Sequence, residues 1–116
     1  MRISAELLSQ VEQRTNPLNE HELILANLGI AAIENMGAAR DDFDCYDLSN
    51  NRILVLENFP KLPRLSSILA SSNRIESLDV RNLSKNLPNI RYLNLSHNNI
   101  SSLVEIANIG KAFPKL

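Results

Sequence analysis

Few side chains in this chain could do chemistry, and they lie far apart. Asp44 and Asp47 stand close enough in sequence to suggest an acid–base pair or half of a metal site. His21 and His97 are the two histidines, and Cys45 is the single cysteine. An acid–base or metal site needs convergent partners. No histidine pair, carboxylate cluster or glycine-rich phosphate loop accompanies the aspartates. The expectation is therefore no catalytic residue, no metal and no cofactor, with Asp44 and Asp47 forming a solvated or partner-facing acidic patch. Cys45 is expected as an exposed or interface thiol, since no basic neighbour in sequence would activate it.

Asparagine offers a different chemistry, because one side chain carries both a donor and an acceptor. Asn51, Asn73 and Asn98 each close the same apolar frame, in the segments 43–53, 65–75 and 90–100. All three fit apolar-x-x-apolar-x-apolar-x-x-Asn-x-Ile. This is the leucine-rich repeat pattern, a short strand followed by a tight asparagine-bearing turn. In such a turn, backbone groups point inward without a sheet partner. The asparagines are expected to satisfy them and to link each coil to the next.

The elements that position these residues follow from the period. Ile30, Ile53, Ile75 and Ile100 are 23, 22 and 25 residues apart. Residues 20–30 form a degenerate first repeat, with Leu23, Leu25 and Ile30 in the apolar positions and Leu28 where the asparagine would stand. Between turns, Ile53, Leu56, Phe59, Leu62 and Leu65 recur every third residue. That spacing suits short 3₁₀ or helical turns on the convex side. Pro63, Pro88 and Pro114 precede the repeats and preset an extended approach to each strand. At the N-terminus, Ser4 is a helix cap, Glu6 suits the helix dipole, and Ile3 with Leu8 could form a hydrophobic staple. The predicted helix ends near Thr15–Pro17. The expected fold is thus α/β: one domain over 1–116, a capping helix within 1–18, and about four repeats over 19–116. Short parallel strands would line its concave face. The chain stops where a fifth repeat is due, so it is expected to be a fragment with its last apolar face uncovered.

In such a solenoid, function belongs on strand residues that alternate outward. These are Glu22, Ile24 and Ala26; then Asp44, Cys45, Asp47 and Ser49; then Ser67, Leu69 and Ser71; then Tyr92, Asn94 and Ser96. Small hydroxyls, a few carboxylates and isolated apolar groups suit a docked helix or small domain better than a small-molecule substrate. Tyr92 could contact protein or stack on a base.

Charge is nearly balanced overall, at −1, but unevenly spread. Residues 1–50 hold three basic against nine acidic residues, and 51–116 hold nine basic against four acidic. A solenoid converts this into an acidic end and a basic end, which can orient a charged partner or remain solvated charge. One cysteine excludes an internal disulfide, residues 1–11 lack a signal-peptide core, and no apolar run approaches a membrane span. A cytosolic or nuclear protein without membrane contact is expected.

Beyond the repeats, several segments carry a more specific likeness. They are Ser4–Leu8, Thr15 with Asn16, Ile33–Ala38, and Phe43 and Asp44 through Asp47, Ser49 and Asn51. Phe59, Pro60 and Leu62 agree as well. Together they resemble the N-terminal half of the U2 small nuclear ribonucleoprotein A-prime family. The resemblance implies a nuclear, non-enzymatic splicing subunit. It would bind the B-double-prime protein, an RNA-recognition-motif domain, on the concave face. The pair would then recognise a stem-loop of U2 snRNA, mainly through that partner. Arg52, Arg74 and Arg91 would be the candidates to approach RNA phosphates. The alternative is another short-repeat adaptor, of the phosphatase-regulator or acidic-nuclear-phosphoprotein kind.

Overall fold

A computed structural model describes residues 1–116, Ala38 by its backbone alone. Each asparagine frame folds as a short strand lying parallel to the strand of the next frame. The elements run α1 (Ala5–Gln10), β1 (Gln13–Thr15), β2 (His21–Ile24), a 3₁₀ turn (Met36–Ala38), β3 (Cys45–Asp47), β4 (Val55–Leu56) and β5 (Ser67–Leu69). After these come β6 (Ser77–Leu78), α2 (Val80–Asn86), β7 (Tyr92–Asn94) and α3 (Leu103–Ala112). The main sheet has the order β1-β2-β3-β5-β7, and β4 pairs with β6 in a small second sheet.

Register places Leu23, Tyr46, Ile68 and Leu93 side by side on the inward face. With Leu25, Leu48, Ala70, Ile30, Ile53 and Ile75 they form one core, closed by Leu56, Phe59, Leu62 and Leu65 from the far side. The degenerate repeat keeps its apolar positions, since Leu23, Leu25 and Ile30 are all buried. Leu62–Leu65 is a turn with Pro63 in its second position and a Leu65 N–H to Leu62 O bond, and Phe113–Leu116 repeats it with Pro114. Proline presets the φ that this turn position needs.

Two expectations change. The N-terminal helix is short: Ser4 caps it by accepting from the Leu7 N–H, but Val11 is already extended. Gln13–Thr15 then pairs antiparallel with β2, Arg14 lying opposite Glu22. The reason is the sheet edge. The outer N–H and C=O groups of β2 need partners, and an antiparallel strand supplies them where a longer helix could not. The convex side is also less helical than the three-residue spacing implied. Residues 53–65 form no helix around β4, the first coil has only the 3₁₀ turn Met36–Ala38, and α-helices follow the strands only in the last two coils, as α2 and α3. Asp79 caps α2 by accepting from the Asn82 N–H, and Ser102 caps α3 by accepting from Val104.

Candidate interaction face

The asparagines form the ladder that the sequence implied, with its linkage running backward. Asn51 Nδ2 donates to the carbonyls of Leu48 in its own coil and Leu25 in the preceding one, both at 2.9 Å. Its Oδ1 accepts from the N–H groups of Leu28 and Ile30 at 3.1 and 3.0 Å. Asn73 donates to Leu48 and Ala70 and accepts from Ile53. Asn98 donates to Ala70 and Leu95 and accepts from Ile75. Each rung therefore ties its coil to the one before it. A second ladder, missed in the sequence, runs along the convex side. Asn35 Nδ2 donates to Ile3 O, Asn58 to Ile33 O and Asn82 to Phe59 O. Its signal was present as asparagines at intervals of 23 and 24 residues. Asn35 and Asn58 both hold the left-handed conformation that asparagine tolerates.

With strands held in this register, the outward residues fall into two rows. One is Glu22–Cys45–Ser67–Tyr92, and the other Ile24–Asp47–Leu69–Asn94. The second row is half-buried throughout. Asp47 accepts from the Ser49 N–H at 3.0 Å, and Asn94 makes the same turn with Ser96. Ser49 and Ser71 meet through their hydroxyls at the strand exits, while Ser96 is exposed.

The first row corrects the sequence reading. Glu22, Cys45 and Ser67 point to the outer face yet are buried, at 1, 1 and 5% exposure. The segment between β1 and β2 folds across them. Glu20 Oε2 accepts from the hydroxyls of Ser66 and Ser67 at 3.2 and 3.0 Å. Glu22 pairs with Arg14 at 2.7 Å and accepts also from Asn16 and the Cys45 thiol. Burial works to raise the Glu22 carboxyl. The hydrogen bonds from Arg14, Asn16 and Cys45 outweigh it and hold the group below its ordinary value. Burial and the adjacent Glu22 push the Cys45 thiol well up, so it is an inert buried thiol rather than an exposed one.

Asp44 also leaves the face. It sits where β3 begins, accepts from the His21 N–H at 2.9 Å and pairs with Arg64 at 3.1 Å. The Arg64 hydrogen bond, then that from His21, lowers its carboxyl. Asp44 and Asp47 thus have separate structural roles and share no site. His21 stacks on Phe43 with ring centroids 4.6 Å apart, and its Nδ1 is 2.9 Å from Asp42 O. His97 lies in the turn beyond β7 at φ 57. No group of three or more potential metal ligands occurs among the described residues.

Arg52, Arg74 and Arg91 are all exposed but do not form one patch. The N–H groups of Arg52 and Arg74 bond to Ile30 O and Ile53 O, which sets both residues at equivalent corners after the strands. Arg91 bonds to Ser66 O, at the opposite end of the sheet strands.

A leucine-rich repeat family model matches residues 1–116, the whole length described. The chain belongs to the leucine-rich repeat family. Among its relatives, U2 small nuclear ribonucleoprotein A′ of Arabidopsis thaliana is 40% identical over 116 residues, covering 100% of this chain and 46% of that protein. The Mycosarcoma maydis protein of the same name is 40% identical over 111 residues, covering 96% of this chain and 45% of the relative. The human protein is 39% identical over 109 residues, covering 94% and 41% respectively. The leucine-rich repeat chain described here thus spans under half the length of these relatives. A crystal structure of the Drosophila melanogaster SNF/U2A′ complex aligns with a TM-score of 0.89 at 38% identity, covering 94% of this chain and 62% of that one. The mixed α/β solenoid with parallel strands is therefore a shared architecture, and the resemblance to U2 small nuclear ribonucleoprotein A′ proteins extends over the leucine-rich repeats and the segment before them.

What the sequence reading missed on this face is Leu18, which is 79% exposed beside Tyr92 at 55%. Asn16 Oδ1 accepts from the N–H groups of both Leu18 and Glu20, at 3.0 Å each, and so fixes the turn that presents Leu18. The Asn16–Pro17 pair was the available signal, since asparagine before proline initiates turns.

Proposed function

We propose that this chain is a non-enzymatic interaction scaffold of the U2 small nuclear ribonucleoprotein, acting in the nucleus in pre-mRNA splicing. Its concave face holds an RNA-recognition-motif protein of the B-double-prime type. Through that protein it sharpens recognition of a U2 snRNA stem-loop. The supporting observation is the open row Ile24–Asp47–Leu69–Asn94, fixed on a parallel sheet whose likeness extends to a chain solved in complex with SNF. Apolar and polar groups alternating on a rigid surface fit a helix docked across the strands. Arg52 and Arg74 would meet RNA phosphates from one corner, and Arg91 from the opposite end of the strands. Phosphate contacts of this kind position a complex without reading sequence.

The test is Leu69→Arg, which puts a charge in the middle of the row. The variant is expected to lose the RNA-recognition-motif partner and U2 snRNA in a pull-down from nuclear extract, with its unfolding midpoint near wild type. Undiminished retention of both would overturn the reading.

A further inference from the structure

Between the segment 16–20 and the sheet lies a cleft of about 240 Å³, with Cys45 and Ser67 among its lining and Pro17, Leu18, Leu69 and Tyr92 as its apolar groups. We propose that this cleft receives one bulky apolar side chain from a helix of the docking partner, gripped between Leu18 and Tyr92. The proposal rests on the concave-face reading above and deepens it by naming the anchor.

Three observations carry it. The carboxylates that line the cleft are already occupied from within. Glu22 is taken by Arg14, Asn16 and Cys45, and Glu20 by Asn16, Ser66 and Ser67. A basic side chain entering here would have to compete with these donors, whereas an apolar one meets free apolar wall. Second, the exposure of Leu18 is imposed. The two N–H bonds to Asn16 and the Glu20 latch fix the turn, so little ordering remains to be done on binding. Large apolar groups held open beside an aromatic ring are the usual texture of an interface anchor site. Third, the cleft is continuous with the open row, because Leu69 and Tyr92 sit on adjacent strands β5 and β7. An anchor in the cleft and a helix along the row form one contact. The first fifty residues are strongly acidic, and half-buried Asp47 lies on that row. The anchor's helix is therefore expected to carry basic residues on either side of it.

The test uses this chain and the B-double-prime-type RNA-recognition-motif protein, with affinity measured by titration calorimetry at low and high salt. Leu18→Ala and Tyr92→Ala alter exposed side chains. Each is expected to weaken binding about tenfold at both salt concentrations, as removal of an interface anchor contact does. Scanning the partner's helix to alanine should find one large apolar residue whose loss makes Leu18→Ala silent, the mark of a shared contact. If both variants bind within about twofold of wild type while Leu69→Arg abolishes binding, the anchor is refuted and the concave-face reading survives. If the loss vanishes at high salt, or couples only to a partner lysine or arginine, the occupant is a basic side chain and the proposal fails. If Leu69→Arg also binds normally, both fall.

Discussion

The ladder's hydrogen bonds predict an unequal cost for losing each asparagine, and the inequality can be worked out from who else serves each group. Asn73→Leu keeps the side chain's shape and removes its polar atoms. The carbonyl of Leu48 keeps Asn51 as a donor, that of Ala70 keeps Asn98, and that of Ser71 keeps the Asn50 N–H. The loss therefore concentrates on the Ile53 N–H, whose acceptor was Asn73 Oδ1 at 3.1 Å. One buried orphan donor costs about 1–3 kcal/mol. Asn51→Leu removes more. Both the Leu28 and Ile30 N–H groups lose their shared acceptor, and Leu25 O loses its donor. The loss is about twice as large, roughly 2–6 kcal/mol, which approaches the whole stability of a small domain. Asn98 is only half-buried and leaves a part-buried Ile75 N–H that water can reach. It should cost least. Urea unfolding of the three variants, extrapolated to water with a common slope, measures the order Asn51, Asn73, Asn98. Equal losses at all three positions, or a wild-type midpoint for Asn73→Leu, would refute the reasoning that shared carbonyls protect the middle rung.

Further predictions follow from single groups. The Tyr46 hydroxyl is buried without a hydrogen-bond partner among the described residues, and burial, with Asp41 and Asp42, pushes its pKa up to about 12. Tyr46→Phe should therefore raise stability by about 1 kcal/mol in thermal or urea unfolding, the penalty of an unsatisfied buried group being removed. Ser72 holds a left-handed φ of 56 at the position where Asn27 and Asn50 hold 60 and 58. Ser72→Asn should stabilise by about 0.5–1 kcal/mol, and an unchanged midpoint would count against the backbone argument. Glu22 and Asp44 are both held below their unfolded values of 4.5 and 3.8. Their contribution is complete above those values and is lost as pH falls through the lower folded ones, so Glu22→Gln and Asp44→Asn should flatten the acid limb of stability against pH. Cys45 should label with a thiol reagent only as fast as the chain opens, so its rate should rise with urea in step with unfolding.

The repeat asparagines and their apolar frames made most of the scaffold legible, because a period of about two dozen residues is a strong, redundant signal. Strand alternation also placed Ile24, Asp47, Leu69 and Asn94 correctly on the outer face. Alternation reports which face a side chain joins; it says nothing of whether something distant covers that face. Glu22, Cys45 and Ser67 were therefore read as available when the segment before β2 buries them. Helix propensity near residue 12 failed for a related reason: local preference yielded to the need of β2 for an edge partner. The three-residue spacing of 53–65 was read as helical turns where no helix forms, because that spacing suits irregular coil as well as short turns.

The latch from Glu20 to Ser66 and Ser67 reaches 46 and 47 positions along the chain. During synthesis the acidic segment emerges first but has nothing to close upon until the third coil has left the ribosome. At about 5–20 residues per second, that interval is roughly 2–10 s. Until the latch closes, Glu22, and Cys45 once it has emerged, lack the cover they have in the finished fold, and the acidic turn is open to whatever basic surface lies near. The order of assembly is thus written into the latch: the third coil must form before the strap can close.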